Sequence, residues 1–109
     1  MLKNMTSSII SVPAAELEAY HQNCTEFAVF FSMKNCHWCL KTRPVIEVAV
    51  QAASIPVVEV VYEDNKEFVS KQNVRGFPEI RKYTKGGQIT SFNGERTKEA
   101  LRTFLTRSK

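Results

Sequence analysis

Residues 27–44 read Phe-Ala-Val-Phe-Phe-Ser-Met-Lys-Asn-Cys-His-Trp-Cys-Leu-Lys-Thr-Arg-Pro, and this stretch decides the fold. The apolar run at 27–31 is too short for a helix and has the character of a strand buried on both faces. Residues 32–35 then make a short loop. Over 37–53 the apolar residues Leu40, Ile46, Ala49 and Ala53 recur at helical spacing, and Pro44 is expected to interrupt and kink that helix. Cys36 and Cys39 therefore fall at a strand-to-helix junction.

Such a junction suits thiol chemistry. At the N-cap, unpaired backbone N–H groups and the positive end of the helix dipole favour a thiolate on Cys36. Cys39, three residues on, returns to the same helical face, close enough to close a small ring. Cys36 is then the exposed nucleophile that attacks a disulfide, and Cys39 the thiol that resolves the mixed disulfide. A protonated His37 would lower the Cys36 pKa further. Trp38 either offers an aromatic face to a partner peptide or shields the disulfide. Cys-x-x-Cys is also half of a zinc site, but zinc needs four ligands and only His37 and Cys24 are obvious additions, at a spacing unlike finger patterns. A chance pair of structural thiols is the remaining alternative; redox work is the favoured reading.

Outward from the motif, 109 residues make one domain, and 43% hydrophobic residues with seven Phe can fill its core. The net charge of +4 is spread from Lys3 to Lys109, which does not suggest nucleic-acid binding. Three cysteines cannot all pair within one chain, so Cys24 is expected to be a structural thiol and the pattern is not that of a disulfide-stapled mini-domain. Apolar runs are too short to span a membrane. The first residues make a poor signal peptide, which favours a cytoplasmic location. Strands are expected over 8–12 and 57–62, with a helix over 13–23 opened by Pro13. A helix over 65–72 follows, then strands over 79–84 and 88–92 joined through Gly86-Gly87 as a hairpin. Thr97 caps a last helix carrying Ala100, Leu101, Phe104 and Leu105. The order βαβαβαββα demands parallel strands with right-handed crossovers first and an antiparallel hairpin last. His21 is expected on a helix surface, and Tyr62 and Tyr83 in the core or hairpin.

Together the apolar strand, Cys36-His37-Trp38-Cys39, Pro44 and Val74-Arg75-Gly76-Phe77-Pro78 resemble the thioredoxin superfamily over nearly the whole chain. The run Tyr83, Gly86-Gly87, Phe92 to Thr97 and Ala100-Leu101 is especially similar to the catalytic domains of protein disulfide isomerases. The resemblance implies an α/β thioredoxin fold, a central mixed sheet flanked by helices, in a single domain spanning residues 1–109. It implies a thiol–disulfide oxidoreductase acting on protein disulfides, with Cys36 and Cys39 catalytic and His37 assisting. It also implies a cis Pro78 packed against the disulfide, with Trp38, Arg75, Gly76, Phe77 and Pro78 binding an extended substrate segment. No cofactor is expected, nor a nucleic-acid or membrane partner. The expected partners are disulfide-containing proteins or peptides, with a reductase, glutathione or an oxidase to recycle a monomeric domain. His37 would move the reduction potential above the thioredoxin end of the range, towards that of the isomerases.

The departures from the family pattern carry chemistry of their own. Asn35 stands where Trp usually precedes the first Cys, His-Trp is an unusual dipeptide within the motif, and Glu79 follows the proline where Thr is common. Phe30 occupies the position of the usual buried carboxylate, and Glu59 the position of its partner Lys. Glu59 is expected to replace the missing carboxylate from the neighbouring strand, with burial raising its pKa so that it shuttles a proton to Cys39. Alternatively it reaches water at an edge and has no role. If the site lacks redox activity, the chain is instead a binding module that uses Trp38, Phe77 and Pro78.

Overall fold

The computed structural model describes residues 9–106. Its centre is the strand Glu26–Ser32 (β2), buried along its entire length. Side chains alternate across a strand, so one sequence feeds two cores. Ala28 and Phe30 pack with Ile46, Ala49, Ile80, Leu101 and Leu105 on one face. Phe27, Val29 and Phe31 pack with Leu17, Val58, Val60, Val69 and Tyr83 on the other. The continuous apolar run follows from helices covering both faces of the sheet.

Five strands lie in the order β1-β3-β2-β4-β5. Ile10–Ser11 (β1) and β2 both run parallel to Val57–Val61 (β3). Glu79–Thr84 (β4) is antiparallel to β2 and to Ile89–Ser91 (β5). The helices are Leu17–Asn23 (α1), His37–Gln51 (α2), Lys66–Lys71 (α3) and Lys98–Phe104 (α4). No helix among the described residues is long and apolar enough to cross a membrane.

Element order and strand directions agree with the sequence reading; the boundaries differ where local chemistry intervenes. Of the strand expected over 8–12, Ile10–Ser11 is strand and Val12 adds one bond from its N–H to the Glu59 carbonyl at 2.9 Å, while Ser8 lies outside the described residues. Pro13 has extended backbone and lies before the helical residues, so the chain first makes a 3₁₀ turn, Ala14–Glu16, and α1 begins only at Leu17. Tyr62 leaves the strand for a second 3₁₀ turn, Tyr62–Asp64. Pro44 lies on an exposed position and α2 runs on to Gln51 as one helix, not an interrupted one. A proline removes one intrahelical bond, and the turns on either side keep theirs. The β4–β5 hairpin closes through N–H donation from Gly87 to the Thr84 carbonyl at 3.0 Å, with Gly87 at φ +90°, a conformation that side chains rarely adopt.

Thr97 caps α4 as expected, its Oγ1 accepting the Ala100 N–H at 3.1 Å. Thr97→Ala removes that acceptor at an exposed position and should lower stability by about 1 kcal/mol, read as a lower urea midpoint with unchanged slope.

Candidate active site

Cys36 is the N-cap of α2, its backbone extended at φ −97° and ψ 112°. Its Sγ accepts the Cys39 N–H at 3.2 Å and is bonded to Cys39, with the two Cα atoms 5.1 Å apart. The preceding Asn35 sits at φ 57°. Asn is among the residues that tolerate this left-handed region, whereas bulky ones do not, which accounts locally for its departure from the family's aromatic.

The expectation of an exposed Cys36 needs correction. Cys36 is 9% exposed and Cys39 5%, so both sulfurs of the bonded pair are largely covered. Cys36 Sγ is drawn in against the Cys39 amide and lies 3.9 Å from the Phe77 carbonyl oxygen. Trp38 points outward instead, 57% exposed, with its ring edge-on to His37 and Lys41 lying 5.5 Å from its centroid. It presents an aromatic face and does not close over the sulfurs.

The second half of the site comes from the strand beside β2. Phe31 faces Glu79 in the antiparallel register, so the start of β4 lies beside the end of β2, where the motif begins. Immediately before β4 the Phe77–Pro78 peptide bond is cis. Pro78 is buried and Phe77 half-buried against Tyr62, while Arg75 and Gly76 are exposed on the approach. Glu79 accepts from Arg81 Nε at 2.9 Å and Ser91 Oγ at 3.0 Å. Arg81 in turn donates to the carbonyls of Gln72 and Asn73. The residue after the proline thus anchors the arginine that holds the preceding loop.

Glu59 lies in the middle of β3, opposite Phe30, and is 3% exposed. It sits on an interior strand, with almost none of its surface exposed. Ser11 Oγ donates to Oε1 at 3.0 Å, while Ser32 Oγ and Arg43 Nη2 donate to Oε2. Burial, the largest single influence, pushes its pKa up, but donation from Arg43, Ser32 and Ser11 and the Arg43 charge together outweigh it. The carboxyl is held below its ordinary value, opposite in direction to the expectation from burial alone. A cleft of about 220 Å³ is lined by both Cys39 and Glu59, with Arg43, Ser11 and Ser32 also on its walls. The sequence reading named Glu59 but none of these three partners. Arg43 follows Cys39 by four residues, a spacing that puts two helical side chains on one face and could have revealed it.

The sequence matches the thioredoxin family over residues 9–107. Protein disulfide isomerase-like 1-1 of Arabidopsis thaliana is 35% identical over 78 residues, which are 64% of this chain and 16% of that protein. The chain thus spans a small part of its curated relative. Among solved structures, the J-Trx1 fragment of ERdj5 superposes with a TM-score of 0.82 at 21% identity, covering 88% of this chain and 49% of that one. A mutant thioredoxin from Halobacterium salinarum NRC-1 gives 0.79 at 20% identity, covering 95% and 93%. Human ERp44 form II gives 0.81 at 15%, covering 96% and 32%. At these identities the structures show a shared fold.

Proposed function

Because the chain belongs to the thioredoxin family and carries the bonded Cys36–Cys39 pair of a thiol–disulfide oxidoreductase, we propose that it is an enzyme acting on disulfides in proteins and peptides. The observation that carries this is a disulfide at a helix N-terminus, beside the cis Phe77–Pro78 strand entrance.

In the reduced protein the Cys36 thiolate attacks one sulfur of a substrate disulfide. A Cys36–substrate bond forms, the substrate disulfide breaks, and the departing thiolate takes a proton. Cys39 then loses its proton and attacks Cys36 Sγ. This releases the second substrate thiol and restores the Cys36–Cys39 bond, so two electrons pass to the substrate. His37, beside Cys36, favours its thiolate when protonated. The backbone around Phe77 pairs with the extended substrate, flanked by Trp38, Arg75, Gly76 and Pro78. An external dithiol, reductase or glutathione must reduce the pair again, or an oxidase must draw electrons from it when the reaction runs in reverse. One chain carries all these groups, so a monomer suffices.

Glu59 is the group we assign to the Cys39 proton. Ionised beside Arg43 and lining the same cleft as Cys39, it takes the Cys39 proton only transiently, and its low basicity returns that proton through the cleft. Glu59→Gln should slow resolution of the mixed disulfide about a hundredfold at neutral pH, a typical loss for a positioned acid–base group. An unchanged pH profile for that step would remove Glu59 from the mechanism.

A binding-only module is the competing reading, resting on the missing carboxylate at Phe30 and on Asn35. Glu59 supplies a carboxylate to the Cys39 cleft from the next strand, and Asn35 has a local backbone reason. Insulin reduction driven by dithiothreitol distinguishes the two, since a module without redox activity adds nothing to the uncatalysed rate.

A further inference from the structure

Two open clefts flank the motif, of about 500 Å³ and 490 Å³. Trp38, Lys41, Glu95 and Thr97 line the first; Arg75, Phe77, Pro78 and Asn93 line the second. Arg96 lines both, and its Nη2 donates to the Pro78 carbonyl at 3.4 Å, tying the two clefts together at the cis proline. Here the charges do not cancel. Glu79 is taken up by Arg81 within the second cleft. Lys41, Arg75 and Arg96 are exposed, and among the described residues none of them has a carboxylate partner. Elsewhere Lys34, Arg43 and Lys71 are each paired with an acid. Against three cations the groove offers one uncommitted anion, Glu95.

We propose that this groove selects disulfides flanked by acidic residues, with an extended peptide placing Asp or Glu side chains towards Arg75 and Arg96 on one side of its cystine and Lys41 on the other. The inference rests on the substrate-binding role given above to the Phe77–Pro78 edge, and adds the chemistry of what binds there. In an extended strand every second side chain points the same way, so acids two residues from the reacting cysteine face the groove wall. Partly exposed charges act mainly through encounter and orientation, which makes selection sensitive to salt.

The test uses two cystine peptides of equal length, one with Asp and Glu flanking the cystine and one with Asn and Gln. Reduction by the reduced full chain is followed through Trp38 fluorescence. Nearby acids slow attack by any thiolate, so each rate is divided by that of uncharged dithiothreitol on the same peptide. The normalised ratio of acidic to neutral peptide should be roughly three to ten at low salt, the scale of a few surface charge contacts, and approach one at about 1 M salt. Arg75→Gln with Arg96→Gln should bring the ratio close to one at low salt, whereas Lys85→Gln on the distant hairpin turn leaves it unchanged. Equal normalised rates for wild type, or a ratio that survives the double substitution, overturn the selectivity and leave the redox reading standing. Failure to reduce either peptide overturns both.

Discussion

Cys36→Ser abolishes dithiothreitol-driven insulin reduction, a loss of about a thousandfold or more, as when the nucleophile of a covalent mechanism is removed. No other thiol can take its place. Cys24 is the C-cap residue of α1, packed partly against the second core, and precedes β2, whereas Cys36 follows it. Seven strand residues separate the two by roughly 20 Å, so Cys24→Ser leaves the rate unchanged. Cys39→Ser behaves differently from either. Its Cys36 still attacks but nothing resolves the product, and the protein accumulates as a covalent substrate adduct visible by intact mass. If Cys36→Ser and Cys39→Ser both remain inactive without any adduct from the latter, the division of labour between the two sulfurs is wrong.

Arg43→Met should have the largest effect on stability. Methionine keeps an unbranched apolar side chain but removes the guanidinium that lies 5.5 Å from the Phe30 ring centroid and faces the almost fully buried Glu59. Breaking a buried ion pair on one side typically costs about 3–5 kcal/mol. The guanidinium is one-third exposed and both serine hydroxyls remain, so about 2–3 kcal/mol at pH 7 is the expected loss. Its pH dependence gives the sharper test. In the native protein the Glu59 pKa lies below its ordinary value, so its ion stabilises the fold above about pH 4.3, and that contribution is lost as pH falls through the folded pKa. Without Arg43 its two lowering influences are lost while burial remains, so the carboxyl moves up from its native value and the variant loses less stability than the native protein as pH falls. The difference between the two proteins should therefore be widest near neutrality and shrink on acidification. A difference that is constant with pH would mean that Arg43 does not act through Glu59.

What the sequence reveals about this site divides along the chain's local and non-local chemistry. The motif's place at the strand-to-helix junction, the buried strand before it, the Thr97 cap and the Gly86-Gly87 turn are each specified within a few residues, and each appears as read. The segment 74–78 is non-local to the motif, yet its residues are distinctive enough for the family pattern to place them. Glu59 could be singled out because a charge inside Val-Val-Glu-Val-Val demands an explanation. The sign of its pKa shift could not, because it depends on donors from three different elements, Ser11, Ser32 and Arg43. Likewise Lys41 and Arg96 are unremarkable among 15 scattered basic residues until the fold gathers them with Arg75 around one groove.

The two halves of the site are held together by the pairing of β2 with β4, in which Phe31 meets Glu79. A strand pair can be misaligned only in whole residues, and a slip of one would turn Phe27, Val29 and Phe31 towards the opposite core. The spacing between sulfur and proline is therefore quantised: a molecule has it or lacks it. Substitutions that loosen either core should lower the fraction of chains that work while leaving the turnover of each working chain intact. Damage remote from the motif would then appear as a lower yield of competent protein, with no change in its affinity for substrate.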